Sequence, residues 1–169
     1  MPTTFTLIAS STVGSGGAAS IDFTSIPSTY TDLVLKCSVR NSVSSSKELW
    51  LNFNSSTANG SARVLSGNGS TASSYTATRI EGIGYTNGPA TTSNTFTSVD
   101  FYIPNYAGSN NKSVSADAVN ENNATLGYNE LTASLWSNTA AITSISVVLA
   151  VAETFAQYST AYLYGIKNS

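Results

Sequence analysis

Apolar and polar residues alternate one by one in several segments of this chain, with the two-residue period of a β-strand. Between Asp32 and Arg40, every second residue from Leu33 to Val39 is apolar. Successive side chains of a strand point to opposite faces of a sheet, so this segment is expected to bury one face. An amphipathic helix would instead need apolar residues three and four positions apart. The alternation therefore indicates sheet structure wherever it recurs.

The same alternation predicts roughly nine to eleven strands along the chain. Its clearest other instances are Glu48–Asn54, Thr95–Ile103, Gly127–Trp136, Thr143–Val151 and Thr160–Ile166. Weaker instances are Thr3–Ser10, Ser20–Ser25, Ala62–Ser66, Thr78–Ile83 and Lys112–Ala118. Within Gly127–Trp136, the residues Leu131, Ala133 and Leu135 share one face. We expect the core to include Leu35, Cys37, Phe101, Ile145, Val147 and Leu149.

The composition supports an all-β fold. Charged residues make up 9 % of the chain, against about 25 % in average proteins, whereas the sequence contains 29 Ser and 22 Thr. Helices usually cover their exposed faces with Lys, Glu, Arg and Gln, which are scarce in this chain. A disordered chain is the alternative for such a polar composition, but the apolar residues are too plentiful and too periodic for it. We predict a jelly-roll-like β-sandwich with no helix longer than about two turns.

The length of 169 residues is that of one domain. The turn-rich segments between the predicted strands are too short to separate two domains, so residues 1–169 are predicted to form a single β-sandwich. Gly14-Ser15-Gly16-Gly17 interrupts the chain after the first predicted strand. Residues 1–17 are therefore a candidate for an extended N-terminal arm.

Charge and cysteine content exclude several classes of function. The net charge is −2 and the seven basic residues are scattered, so nucleic-acid binding is not expected. No run of apolar residues is long enough for a transmembrane helix, and the N-terminus lacks the features of a secretory signal. The single Cys37 cannot form an internal disulfide, and its place in a core register predicts an inert buried thiol. Synthesis in a reducing cytoplasm is the expectation.

The residues needed for common catalytic sites are missing or poorly spaced. Histidine is absent, which removes the usual bases and most zinc sites. A carboxylate pair such as Asp100 and Glu130, lining a groove as in glycosidases, is one interpretation, but unpaired surface carboxylates are the simpler interpretation of these and of Asp117, Glu121 and Glu153. The oxygen-rich segment 117–123 lacks the spacing of an EF-hand, and the glycine runs lack the residues of a P-loop. We expect no enzyme activity, cofactor or metal.

Aromatic residues are the best candidates for an interaction site. The chain contains nine Tyr, several of them in or beside predicted loops. Tyrosine supplies a large contact area and is enriched at the energetic centres of protein interfaces. Tyr85, Tyr106 and Tyr128 are therefore candidate interface residues. The alternative is ordinary packing of aromatic side chains across strands.

Four segments of the chain resemble a known group of proteins. Trp136–Ile145, which ends in Ala141-Ile142-Thr143-Ser144-Ile145, is followed by a closing strand with Leu163-Tyr164-Gly165-Ile166. With Ile21–Pro27 and Tyr30–Leu35, this pattern resembles small all-β virion proteins of tailed bacteriophages, which include capsid decoration (cement) proteins and tail-fibre β-sandwiches. The resemblance implies a homotrimer that is made in the host cytoplasm and binds the major capsid protein on the capsid exterior.

Two other functions stay open at the level of sequence. A tail-fibre or receptor-binding module that recognises a host surface glycan has the same strand pattern. Because the chain begins with Met1 and its last predicted strand ends near the C-terminus, we expect a free-standing protein rather than a module of a long fibre. A carbohydrate-binding module or glycan-degrading enzyme is the third possibility, which no residue singles out.

Overall fold

The computed structural model describes residues 4–80, 83–123 and 127–167. These ranges contain twelve strands and no helix, and hence no helix long and apolar enough to cross a membrane. The all-β prediction is confirmed. The strands are β1 (Phe5–Thr12), β2 (Ser20–Phe23), β3 (Asp32–Val39), β4 (Lys47–Phe53), β5 (Gly60–Gly67), β6 (Ala72–Ala77), β7 (Tyr85–Thr86), β8 (Thr97–Ile103), β9 (Lys112–Val119), β10 (Asn129–Trp136), β11 (Ile145–Leu149) and β12 (Thr160–Ile166).

Two antiparallel sheets pack face to face, which confirms the β-sandwich. The larger sheet has eight strands in the order β1-β12-β3-β8-β9-β10-β5-β6, and the smaller has four in the order β2-β11-β4-β7. The chain crosses repeatedly from one sheet to the other, as it does in a jelly roll, although the two sheets here are unequal. The strand count exceeds the expected nine to eleven because the two-residue β7 has too little sequence to show any alternation.

The core lies between the two sheets and follows the alternation of the sequence. In β3, the inward-facing Leu35 lies between Phe101 of β8 and Leu163 of β12, and all three are buried. Ile145, Val147 and Leu149 of β11 alternate with half-buried residues. All six residues expected in the core are buried, with at most 4 % of each exposed: Leu35, Cys37, Phe101, Ile145, Val147 and Leu149.

The segment after β10 carries the chain from the large sheet to the small one, and it holds the sheets together. Trp136, at the end of β10, packs edge-on against Phe53 of β4 with 5.5 Å between ring centroids. Ile142 is buried, and its backbone N–H donates to the Tyr106 carbonyl at 2.9 Å. Trp136 and Ile142 of this segment therefore have a structural role in this fold.

Asn54, the residue after β4, fixes the position of this crossing. Its Oδ1 accepts hydrogen bonds from the backbone N–H groups of Thr143 at 2.8 Å and Ser144 at 3.1 Å. Its Nδ2 donates to the Ala141 carbonyl at 2.8 Å. The backbone of Asn54 is left-handed, with φ of 51°, a conformation that asparagine tolerates better than most residues. One amide side chain thus satisfies three backbone groups of a connection that has no strand partner.

A second contact joins the segment before β3 to the last strand. A Cβ atom on Gly165 would lie 2.3 Å from the Tyr30 ring, so the ring packs directly on the glycine backbone. The Thr31 backbone N–H donates to the Ile166 carbonyl at 2.8 Å. Asp32 accepts hydrogen bonds from the Tyr102 hydroxyl, at 2.8 Å, and from a loop backbone N–H. The Tyr30–Leu35 and Leu163–Ile166 motifs therefore meet in space.

One prediction about a chain segment was wrong. The weak strand expected at Thr78–Ile83 is not formed by its described residues; the strand is Ala72–Ala77, which pairs with β5. Its Ser- and Ala-rich sequence has no apolar alternation that would reveal it. Within the candidate N-terminal arm, Phe5–Thr12 pairs with β12 as an edge strand of the large sheet, close to the strand expected at Thr3–Ser10.

Strand β10 turns its apolar residues away from the core. Leu131 and Leu135 are 57 % and 39 % exposed, whereas Glu130, Thr132 and Ser134 on the other face are buried. The three residues Leu131, Ala133 and Leu135 do share a face, as expected, but it is the outer face of the large sheet. We use "outer face" below for the face turned away from the small sheet.

Close backbone packing explains why the inner side of this region carries few large side chains. The segment between β6 and β7 runs beside β4, where the Leu51 N–H donates to the Ile80 carbonyl at 3.0 Å. A Cβ atom on Gly60 would lie 2.7 Å from the Ile80 nitrogen, and one on Gly84 would lie 2.5 Å from the Ala118 Cβ. Where backbone segments approach this closely, only short side chains fit between them. Serine and threonine hydroxyls are suited to such places, because they can form hydrogen bonds with the polar backbone groups.

Ile145 tests the assignment of the core. Ile145→Ala is expected to lower the free energy of unfolding by roughly 2–5 kcal/mol, because the side chain is fully buried between the sheets. Val151→Ala, at a residue that is 50 % exposed, serves as the control and should cost less than about 0.5 kcal/mol. Denaturant unfolding measures both, and equal effects would contradict the assignment.

Asn54 tests the crossing between the sheets. Asn54→Ala leaves two backbone donors and one carbonyl of the 141–144 segment without their partner, and we expect a loss of about 1–3 kcal/mol. Asn52→Ala changes the same residue type two positions earlier on β4, where the side chain is half-buried, and should cost less. Thermal unfolding of the two variants distinguishes them, and a stable Asn54→Ala protein would contradict the role given to this amide.

Candidate interaction surface

Two of the three candidate tyrosines come together. Tyr85 of β7 and Tyr128, which precedes β10, have ring centroids 4.7 Å apart with planes inclined by 35°. Both side chains are half-buried. We refer to Tyr85 and Tyr128 as the tyrosine pair. The pair joins the small sheet to the large sheet at the end of the sandwich, so much of its ring surface is used within the chain.

Tyr106 is not at the surface. Its side chain is fully buried, and its hydroxyl donates a hydrogen bond to the Pro27 carbonyl. The turn after β8 directs the ring inward, where burial raises the pKa of the phenol. Its position beside a predicted loop suggested exposure, but a loop residue can equally fold back over the end of a core. Tyr106 therefore belongs to the core rather than to an accessible interface.

Two glutamates lie beside the tyrosine pair. The Tyr85 hydroxyl donates to Glu48 Oε1 at 3.1 Å. Burial, together with the Glu48 charge, raises the pKa of Tyr85, so this phenol stays protonated. Glu130 lies on the inner face of β10 and is only 3 % exposed.

Glu130 is a buried acid with little compensation. No described residue forms a hydrogen bond of good geometry with either carboxyl oxygen. Burial raises the pKa of Glu130 to about 7, and the Glu48 charge adds to the effect. The Ser66 hydroxyl and the Gly84 backbone N–H act in the opposite direction and offset part of this rise in the pKa of Glu130. Near neutral pH this side chain is therefore partly protonated inside the sandwich.

The other carboxylates do not assemble a catalytic pair. Asp100 lies on the outer face, whereas Glu130 is on the buried face, so the two do not line one groove. Asp100 forms an ion pair with Lys36 and stands opposite Asp117 across β8 and β9. Glu121 accepts the Asn123 backbone N–H at 2.6 Å, as part of a local turn. Within the described ranges, no three His, Cys, Asp or Glu side chains are grouped as a metal site would require.

Cys37 is buried in β3, as its register predicted. Burial is the main reason that the pKa of its thiol is strongly raised, and the Asp100 charge contributes. Thiolate is the reactive form of cysteine. This cysteine is therefore packed as a small apolar residue.

One exposed apolar area lies on the outer face of β5, β9 and β10. Leu65 and Leu131 stand directly opposite each other and are 56 % and 57 % exposed. Leu135 and Val119 extend the area along β10 and β9. We call Leu65, Val119, Leu131 and Leu135 the leucine patch. A shallow groove of about 620 Å³ runs between it and β6.

A second exposed apolar area lies at the opposite end of the same face. Phe5 and Leu7 of β1 are each 51 % exposed, and Tyr102 of β8 is 41 % exposed. The Phe5 ring meets Tyr164 of β12 edge-on at 6.1 Å. We call Phe5, Leu7, Tyr102 and Tyr164 the β1 patch. The outer face thus carries two apolar areas, separated by the charged row of Lys36, Asp100 and Asp117.

The sequence contained one signal for the leucine patch that was overlooked. Trp136 is an odd number of residues away from Leu131 and Leu135 along β10, so it lies on the opposite face of the strand. A tryptophan buries more apolar area than a leucine, so Trp136 decides which face of the strand turns inward. The leucines are then placed on the outer face by the strict alternation of side chains.

Comparison of the chain with known protein families, with curated proteins and with solved structures gave no match. The surface is therefore interpreted from its own chemistry. Two apolar areas on one regular sheet face, with the charged row of Lys36, Asp100 and Asp117 between them, form a surface suited to contact with another protein.

Glu130 makes stability depend on pH. The folded state binds the proton of the Glu130 carboxyl group more tightly than the unfolded chain does. The contribution of Glu130 to the free energy of unfolding is therefore largest below about pH 4.5, and it is lost as the pH rises through 7. Glu130→Gln should remove this dependence and stabilise the protein at pH 8 by an amount on the order of 2 kcal/mol. Denaturant unfolding at pH 5 and pH 8 measures it. The exposed Glu121→Gln is the control, and an unchanged dependence in Glu130→Gln would contradict the assignment.

Proposed function

We propose that this protein is a non-enzymatic structural protein of a tailed-bacteriophage virion, which decorates the outer surface of the capsid. The resemblance of Trp136–Ile145 and of the Leu163–Ile166 strand motif to virion proteins suggests the setting. The observation that carries the proposal is the outer face, on which a rigid sheet exposes two apolar areas. Monomeric soluble proteins rarely leave extended apolar areas uncovered, and a decoration protein would cover them on assembly.

The proposed partner is the major capsid protein, and the proposed assembly is a homotrimer. The β1 patch is the surface that we assign to the capsid, because it lies at the edge of the sheet where a neighbouring shell protein can approach. Each square ångström of apolar surface that is covered stabilises a contact by roughly 25 cal/mol. A modest contact repeated over many copies would reinforce a shell against the pressure of packaged DNA.

A receptor-binding module of a tail fibre is the second candidate, and one observation favours it. Tyr128 lines a small polar depression of about 160 Å³ together with Asn68, Glu121 and Asn129. An aromatic ring beside amide and carboxylate groups is a suitable arrangement for a sugar, because the ring stacks on the apolar face of the sugar and the polar groups bind its hydroxyls. A host surface glycan would be the ligand of such a site.

Localisation on virions tests the proposal. Virions of the phage that encodes the chain are imaged after labelling of the protein, and purified protein is sedimented with capsids that lack it. We expect label on the capsid exterior and co-sedimentation, with weaker binding of Leu7→Ser because the β1 patch loses an apolar contact. Label confined to the tail, with binding on a glycan array, would favour the second candidate. Absence from virions would overturn both.

A further inference from the structure

We propose that the leucine patch is a contact between two copies of this chain, related by a two-fold axis that lies in the plane of the contact and crosses β10 between Leu131 and Ala133. The occupant of the patch is a second copy rather than a different protein. The inference rests on the shape of the patch and on the position of two charged residues around it. It goes beyond the proposed function, since it does not depend on any capsid.

The patch has the uneven surface shape that close packing between two copies requires. Leu65 and Leu131 project from neighbouring strands, and Leu135 projects farther along β10. Between them, Ala133 and Ser115 face outward in the adjacent row, and these small residues form part of the floor of the groove. Leucines beside small residues create ridges and hollows, so a leucine of a second copy fits above the short side chains.

One cation and one anion flank the leucines without pairing with each other. Arg63 lies on the β5 side and Asp117 on the β9 side of β10. From the strand spacing and the rise per residue, their Cα atoms are roughly 12 Å apart. The ion pair found among the described residues is Lys36–Asp100, so neither Arg63 nor Asp117 is neutralised within that part of the chain.

A two-fold axis brings these charges together. An axis in the plane of the contact that crosses β10 between Leu131 and Ala133, inclined to the strand, exchanges the positions of Arg63 and Asp117 between the two copies. It places Arg63 of each copy opposite Asp117 of the other, across the roughly 10 Å that separates packed sheet faces. An extended arginine side chain spans that interval. The contact then contains two symmetric ion pairs around an apolar centre.

This self-complementarity selects a second copy as the occupant. A two-fold contact presents the same surface from both partners, so it must contain both members of each charge pair. The patch does so, in a chain in which only 9 % of residues are charged. A contact with a different protein would require no such balance. The β1 patch, by contrast, contains no charged residue and is left uncovered by this pairing.

The two-fold contact is separate from the three-fold assembly of the proposed function. If both form, the leucine patch joins two trimers; if the trimer does not form, it joins two single chains. In either case, disruption of the patch halves the mass of the particle in solution. Failure of the unaltered protein to bind capsids, with a mass that the leucine-patch variants still halve, would therefore count against the proposed function alone, and an unhalved mass would count against this inference.

Charge reversal and leucine replacement test the contact. The mass of the full chain is measured by sedimentation velocity and light scattering over a range of concentrations. We expect Leu131→Ser to halve the mass and to weaken self-association at least tenfold. Arg63→Glu and Asp117→Arg should each weaken it about tenfold, because like charges then meet across the axis. The double variant Arg63→Glu/Asp117→Arg should restore self-association, since each new Glu meets a new Arg.

The controls separate this contact from folding and from the other apolar area. Leu7→Ser changes an equally exposed leucine on the same sheet face and should leave the mass unchanged. Circular dichroism verifies that each variant is folded, which is expected because all the changed side chains are exposed. A wild-type monomer or trimer that no leucine-patch variant alters would overturn the inference. So would a double variant as weak as the single ones.

Discussion

The crossing from β10 to β11 is the constraint on which the rest of the sandwich depends. The Asn54 amide binds three backbone groups of that crossing, and Trp136 packs on Phe53 just before it. An eight-stranded and a four-stranded sheet share few direct strand contacts, so their relative position is set by such connections and by the core between them. A shift of this crossing by one residue would exchange the faces of either β10 or β11. Trp136 would leave the core in the first case, and Ile145 in the second.

The exposed leucine patch is a consequence of this constraint. Because Trp136 is anchored inward, every second residue of β10 before it also faces inward, including Glu130 and Ser134. Leu131 and Leu135 are then fixed on the outer face. A strand with a polar inner face and an apolar outer face is unfavourable for an isolated sandwich, since it exposes leucine and buries a carboxyl group. Coverage of the outer face by the proposed second copy would compensate for the first of these costs.

The sequence alone was sufficient to predict the strands and core residues where the apolar residues of a segment all lie on one face. It predicted the burial of Cys37, Phe101 and Ile145 correctly, and the last strand at Thr160–Ile166 as observed. Alternation shows that the two faces of a strand differ, but it does not show which face meets the core. For β10, that choice could be made only from the position of Trp136. The burial of Tyr106 was not predictable, because it depends on a loop folding back over the sandwich rather than on any local pattern.

The candidate site was predictable only in residue type. Tyrosine content pointed to Tyr85 and Tyr128, and the structure brings them within contact distance through strands far apart in sequence. Their rings are largely occupied with each other and with Glu48, whereas the accessible apolar area is formed by aliphatic residues. Long-range strand pairing places Leu65 opposite Leu131, and no local feature of either segment shows that pairing. The charges of Arg63 and Asp117 likewise gain meaning only from their positions on either side of β10, which makes the outer face, rather than the tyrosine pair, the part of this molecule best suited to bind a partner.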